Sequence, residues 1–179
     1  VSEKQNPWIE GLQTIGLSIV LALGIRQFVA EARFIPSGSM LPTLQIDDRL
    51  VVEKISYHFN PPQRGDIVVF RAPQEALDLV GSTSHDAYIK RVVGLPGETI
   101  EIKDGTVFID GKALEENYLQ APPAYTWGPQ VVPEDEYLVL GDNRNSSSDG
   151  HLWGFLPRES IIGRAVVRFW PLNRIGGLE

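Results

Sequence analysis

Two serines separated by one glycine, Ser37-Gly38-Ser39, stand between Pro36 and Pro42 in a chain of 179 residues. A glycine turn lets backbone N–H groups approach a reacting carbonyl, so one hydroxyl there can be a nucleophile and the other a donor to an oxyanion. Taken alone, Ser-Gly-Ser between prolines is an ordinary turn, and a serine nucleophile also needs a base. His58 stands beside Phe59 ahead of Pro61-Pro62, His85 lies in the polar run 81–86, and His151 closes a run of Asp, Asn and Ser. His58 and His85 read as exposed loop residues, although a Ser-His-Asp triad stays open on sequence grounds. Lysine is the other choice. Lys90 interrupts the apolar run Tyr88-Ile89-Lys90-Arg91-Val92-Val93, where a period of two groups it with Tyr88 and Val92 and groups Arg91 with Ile89 and Val93. One of the two charges is therefore expected to face the core. Burial disfavours an ammonium and lowers its pKa, which lets an amine take a proton from serine near neutral pH. The plainer reading of Lys90 is an edge-strand lysine facing water.

A third polar group, Gly141-Asp142-Asn143-Arg144-Asn145-Ser146-Ser147-Ser148-Asp149-Gly150-His151, directly follows an apolar strand pattern over 137–140. Asx turns and a pairing of Arg144 with a carboxylate would hold such a loop together. One of its hydroxyls could orient the lysine amine, the third-group role that nucleophile and base pairs require.

Several elements must position these groups. Residues 11–25 carry no charge and are followed by Arg26, Gln27 and the apolar triplet Phe28-Val29-Ala30. A helix rising ~1.5 Å per residue needs ~20 residues to cross a ~30 Å hydrocarbon core. A membrane span thus runs to about Ala30, with Arg26 snorkelling to one interface and Trp8 at the other. A buried core helix, or an amphipathic helix lying in the membrane plane with Thr14 and Ser18 toward water, are the competing readings. A cleavable signal peptide is disfavoured by the length of the apolar run, its weak basic flank and the expectation that no small-residue cleavage site follows it. A chain that opens on Val1 instead of Met is expected to lack N-terminal residues, basic ones among them. Beyond Ala32, β-branched and aromatic runs predict strands at 49–55, 67–71, 87–93, 99–103, 106–109, 136–140 and 161–170. Asp104-Gly105 marks a tight hairpin, while 61–66, the insertion 74–87 and the proline-rich 121–133 are expected to be loops. The predicted fold is mainly β: an antiparallel sandwich or barrel-like domain over 33–179, preceded by a tail and one transmembrane helix over 1–32.

Composition narrows the function classes. A net charge of −7 and a pI near 5.0 argue against a duplex-binding surface, which needs clustered Lys and Arg, so no nucleic-acid partner is expected. Without cysteine there is no disulfide and no thiolate chemistry. No phosphate-binding glycine loop or metal-ligand spacing is present, and neither metal nor cofactor is expected.

In order and spacing, four segments resemble the type I signal (leader) peptidase family. They are Pro36-Ser37-Gly38-Ser39-Met40-Leu41-Pro42-Thr43-Leu44, Arg64-Gly65-Asp66-Ile67-Val68-Val69-Phe70, Tyr88-Ile89-Lys90-Arg91-Val92-Val93-Gly94-Leu95-Pro96-Gly97-Glu98, and Gly141-Asp142-Asn143-Arg144 with Ser147 and Asp149. The resemblance implies Ser39 as nucleophile and Lys90 as general base. It also implies an oxyanion hole of the Ser37 hydroxyl and the Ser39 N–H, Ser147 as the residue orienting the lysine, and support of the site by Gly141, Asp142, Arg144 and Asp149. It further implies a β catalytic domain with an apolar surface against the lipid bilayer, on the extracytoplasmic side of a plasma or thylakoid membrane. The substrates would be preproteins with signal peptides, cut after small residues in an Ala-x-Ala-like pattern.

Two features depart from that pattern. Gly150-His151 stand where many relatives have Ser-Arg, so a charge partner for Asp149 could come only from His151; a histidine here is similar to the cyanobacterial and plastid branch. Lys4 precedes the apolar run while Arg26 and Arg33 follow it, which by the positive-inside rule favours the opposite orientation. The rival readings are a self-cleaving Ser-Lys protease of the LexA type and a membrane-anchored β module that binds without chemistry.

Overall fold

The computed structural model describes residues 7–81 and 87–178. Helix α1 (Pro7–Phe28) is about 33 Å long at ~1.5 Å per residue. It is long and apolar enough to cross a membrane, and none of its apolar span is buried in the rest of the chain. Leu12, Leu17, Val20 and Leu23 are all exposed, which rules out a core helix of this domain. The Thr14 and Ser18 hydroxyls donate back to the carbonyls of Glu10 (2.9 Å) and Thr14 (2.8 Å), so neither needs water.

The helix stops two residues before Ala30, because the chain there enters strand β1 (Ala30–Phe34). The strands that follow are β2 (Arg49–Glu53), β3 (Ile67–Arg71), β4 (Ala87–Gly94), β5 (Thr99–Lys103), β6 (Thr106–Ile109), β7 (Lys112–Ala113), β8 (Trp127–Val131), β9 (Glu136–Leu140), β10 (Leu156–Pro157), β11 (Ile161–Trp170) and β12 (Gly176–Gly177). One sheet runs β1-β2-β11-β3-β4-β9-β10, with β12 also on β11; a smaller one runs β7-β6-β5-β8, and every pair is antiparallel. The mainly β, antiparallel architecture with one N-terminal apolar helix is the one expected. Five strands match their predicted bounds, and the β5–β6 hairpin turns at Asp104-Gly105.

Three segments differ from expectation. Residues 74–87 do not form a surface loop throughout: helix α3 (Gln74–Val80) buries Ala76 and Leu77 against the body of the domain. His85 and its neighbours at 82–86 lie outside the described residues. The proline-rich 121–133 contains β8, an edge strand in which Pro129 removes a donor that a central strand would have needed. Strand β1 itself was hidden in the expected end of the helix.

Strand β4 lies between β3 and β9 and is covered on both faces, so Ile89 through Gly94 are all buried. One core cluster, containing Ile35, Met40, Leu44, Leu50, Val69 and Ile89, packs on one side, and a second, with Val68, Phe70, Val92, Tyr137 and Val139, on the other. Close passage of β11 over β2 leaves no room for a side chain at Gly163, where a Cβ would lie 2.2 Å from the Glu53 carbonyl oxygen. Gly163→Ala is expected to lower stability by about 1–3 kcal/mol, read as a shift of the denaturant midpoint of the full chain in detergent.

Candidate active site

Ile35, Met40 and Leu44 plug into the first core cluster, and this fixes the residues between them. Ser37 is left exposed and Ser39 half-buried, while Leu44 N–H donates to the Met40 carbonyl (2.9 Å) to close the turn. At the far end of the turn the Thr43 carbonyl accepts from Arg168 Nη1 (3.0 Å), and Asp48 accepts from Gln45 N–H (2.8 Å) and Arg174 Nη1 (2.8 Å). The turn is thus gripped by the core from below and by the C-terminal segment from the side.

Lys90 on β4 is 4% exposed, and its Nζ lies 2.9 Å from Ser39 Oγ and 2.9 Å from the Ile89 carbonyl oxygen, to which it donates. Burial pushes its pKa down to about 8, against the pull of the Asp149 and Asp142 carboxylates, which favour the ammonium. The expectation that only one charge on this strand faces the interior is corrected: Arg91 is 1% exposed. Because β4 is covered on both faces, Arg91 needs its own counter-ion. It finds Asp142, which takes Nε at 2.9 Å and Nη2 at 2.7 Å. Its third nitrogen donates to the Gly65 carbonyl (2.8 Å), and the guanidinium lies 4.0 Å from the centre of the Tyr118 ring. Asp142 also accepts from the Thr43 hydroxyl at 2.5 Å, tying the serine turn to the loop after β9.

That loop meets the turn at several further points. Asn143 N–H donates to the Ser39 carbonyl and its side-chain amide to the Gly38 carbonyl, each at 3.0 Å. Gly141 N–H donates to Asp149 (2.8 Å), whose other oxygen lies 2.6 Å from His151 Nδ1 and accepts from His151 N–H at 3.2 Å. His151 is therefore the partner of Asp149 that the sequence left as the one choice, and its ring stacks on Tyr125 at 4.1 Å between centroids. Buried Arg144 donates to both oxygens of Glu116 (2.8 and 2.6 Å) and to the Gly141 carbonyl (3.1 Å). Nothing in the sequence pointed to Glu116; it sits in a polar linker with no periodicity to mark it.

The candidate residues do not all meet. Ser37 Oγ donates to Ser39 Oγ at 3.4 Å, a long contact that leaves the hydroxyl free to turn toward a substrate oxygen. Ser147 Oγ is buried without a hydrogen-bond partner and makes no bond to Lys90 here; the Ile89 carbonyl is the amine's second partner. A Cβ on Gly141 would lie 2.2 Å from Ser147 Oγ and 2.5 Å from the Ser39 carbonyl oxygen, so only glycine lets the loop lie against the turn. Pro36, Ser37, Ser39, Tyr88, Lys90 and Ser148 line an open cleft of about 540 Å³. His58 is exposed on helix α2 (Ser56–Phe59) and lines a different cleft, while the His151 ring is held by Asp149, so neither hydrogen-bonds to Ser39. Among the described residues no cluster of His, Asp or Glu is placed to hold a metal ion. A hydroxyl beside a buried, easily deprotonated amine, with a cleft open to one side, can carry out acyl transfer without metal ligands.

Residues 8–170 match the family described as signal peptidase, peptidase S26. The chain is 66% identical over 173 residues to a signal peptidase I of Leptolyngbya laminosa, covering 97% of this chain and 85% of that one. It is 57% identical over 175 residues to a probable signal peptidase I-2 of Synechocystis, covering 98% of this chain and 79% of the relative. A thylakoidal processing peptidase 1 of the Arabidopsis thaliana chloroplast is 42% identical over 160 residues, covering 88% of this chain and 47% of its own length.

If Lys90 is the base, turnover is expected to rise with pH as the amine loses its proton, with an apparent pKa of about 8. Asp149→Asn removes a charge that favours the ammonium, so the acid limb of the kcat/KM profile is expected to move to lower pH. An unmoved or rising limb in a series between about pH 6 and 10 would count against this electrostatic coupling.

Proposed function

Because the chain belongs to the signal peptidase family, peptidase S26, and is thus a serine peptidase that removes signal peptides, we propose that Ser39 is its nucleophile and Lys90 its general base. The observation that carries this reading is the 2.9 Å separation of Lys90 Nζ and Ser39 Oγ within a site that keeps the amine's pKa near 8. The neutral amine takes the hydroxyl proton as Oγ attacks the carbonyl of the substrate's last small residue. The resulting ammonium then gives that proton to the departing amine, leaving an acyl-enzyme. Water, deprotonated by the same amine, hydrolyses the ester. The oxyanion is received by the Ser39 N–H and the Ser37 hydroxyl, which is exposed and only weakly engaged in the free enzyme. Ser147, with a buried hydroxyl that lacks a partner, is assigned to orient the amine once substrate closes the cleft. Gly141, Asp142, Arg144 and Asp149 support the site through the contacts between the loop and the serine turn.

In this reading the segment expected over 1–32 supplies the anchor through α1, which ends at Phe28, while residues 30–32 already belong to β1 and join 33–179 in the sheet of the catalytic domain. The domain is placed on the extracytoplasmic face of a plasma or thylakoid membrane, where preproteins emerge. The cyanobacterial and thylakoidal relatives support this location, and only the short β1 strand and its turn separate α1 from Ser39. The open cleft beside Ser39, with Pro36, Ser37 and Tyr88 along its walls, is where the Ala-x-Ala-like segment of a preprotein would lie.

Detergent-solubilised protein mixed with a preprotein bearing an Ala-x-Ala site is expected to cut after the last small residue, as mapped by mass spectrometry. Ser39→Ala and Lys90→Ala should each lower the rate ~10³-fold or more, and Ser37→Ala ~10²–10³-fold. Unchanged cleavage by Ser39→Ala would overturn the assignment.

A further inference from the structure

Two carboxylates favour the ammonium of Lys90, Asp149 more than Asp142, and they are neutralised by partners of different kinds. Asp142 faces Arg91, whose charge is permanent at any pH the enzyme meets. Asp149 is completely buried, and among the described residues its one ion-pair partner is His151. An imidazole gains or loses its charge between about pH 5 and 8. The stronger of the two fields on the lysine therefore has the switchable counter-ion.

The local fold holds that imidazole in place. Asp149 caps the short helix α4 (Gly150–Trp153): its Oδ1 accepts the His151 N–H at 3.2 Å and lies 2.6 Å from the ring at Nδ1. Oδ2 accepts from Gly141 N–H at 2.8 Å, tying the carboxylate to the end of β9, the strand paired with β4. On its flat side the ring stacks on Tyr125, 4.1 Å between centroids and 14° from parallel. Burial pushes the Tyr125 phenol up, so the stacked partner stays neutral. The His151 side chain keeps 14% of its surface exposed, and so can exchange a proton with solvent.

The other charges around α4 have partners of their own or face water. Arg144 and Glu116, beyond Tyr125, pair with each other. Glu75 and Asp78 on α3, the helix packed against α4, are exposed, and Asp78 accepts from Gln74. β9 meets Gly150 through Leu138 and the Val139 backbone, without a charge. A proton on His151 is therefore felt by Asp149 and, through it, by Lys90.

We propose that His151 is a positioning residue of the Ser39–Lys90 reaction that meters the Asp149 charge: once protonated, it engages that carboxylate and stops it from holding the proton on the amine. The proposal rests on Lys90 as the general base. Acidification alone would fill the amine with protons and lower the rate about tenfold per pH unit. A proton arriving on His151 adds positive charge beside Asp149 and makes the proton on Lys90 less favourable; by linkage the reverse holds equally. The two protonations oppose each other, so activity falls less steeply through the range in which His151 titrates.

The test is the kcat/KM profile from about pH 5.5 to 10 for full chains in detergent cutting an Ala-x-Ala preprotein, each profile normalised to its own alkaline plateau. His151→Arg carries a permanent charge that can also stack on Tyr125, and His151→Gln carries none. The unaltered enzyme is expected to follow the His151→Gln curve near pH ~8 and to cross to the His151→Arg curve by pH ~5.5, where the two variants differ by roughly 3–10-fold. A second readout does not depend on turnover. The Cε1 proton resonance of His151, one of three histidines and identified by its loss in His151→Gln, should titrate at higher pH in Lys90→Met than in the parent chain. A parent profile that tracks a single variant across the whole range, or a His151 titration unmoved by Lys90→Met, overturns the proposal. A parent profile with no alkaline rise would instead overturn the Lys90 assignment itself, and this inference with it.

Discussion

Keeping the Lys90 amine out of water is the constraint on which the rest of the site depends. A shift from 10.5 to about 8 corresponds to roughly 3 kcal/mol of preference for the neutral form. Its sign follows from linkage: above pH 8 the folded chain has released this proton, while the unfolded chain holds it to about 10.5. Stability therefore rises with pH across that window, and below it the fold carries the cost of a buried ammonium. Such a cost is borne only where the surroundings leave no alternative. Here they are a strand covered on both faces and a serine turn pinned through Ile35, Met40 and Leu44.

Burying β4 creates a second problem next door, since Arg91 is drawn inside with Lys90. The two charges are handled in opposite ways. Arg91 receives a bidentate carboxylate, a backbone carbonyl and an aromatic face. Lys90 receives only two neutral oxygens, which leaves its proton removable. The carboxylates that would hold that proton are committed elsewhere: Asp142 to Arg91 and Thr43, Asp149 to the Gly141 N–H and His151. Satisfying each acid locally limits its pull on the lysine, and it also welds the loop after β9 to the serine turn.

Much of this was legible in the chain, for identifiable reasons. Strands such as 67–71 and 99–103 are continuous apolar or alternating runs bounded by turn residues, and they folded where their pattern put them. Ala-Glu-Ala-Arg-Phe has no such pattern, so β1 was absorbed into the helix, and Pro129 hid β8. Ser39 and Lys90 stood out as chemistry without a partner in the local pattern. A period of two could not foresee that both Lys90 and Arg91 are buried, because the covering of both faces of β4 is a tertiary fact. Glu116 is the opposite case: an acid in a linker acquires its role only once Arg144 has been buried beside it.

The missing side chain at Gly141 has a practical meaning for anyone recombining such domains. The space a Cβ would fill is taken by the Ser39 carbonyl and the Ser147 hydroxyl, and Asn143 and Asp142 complete the join. Segments 35–44 and 141–151, a hundred residues apart in the chain, therefore behave as one interchangeable part. A chimera that takes one from a distant homologue must take the other with it, or it will inherit a serine whose turn no longer fits its seat.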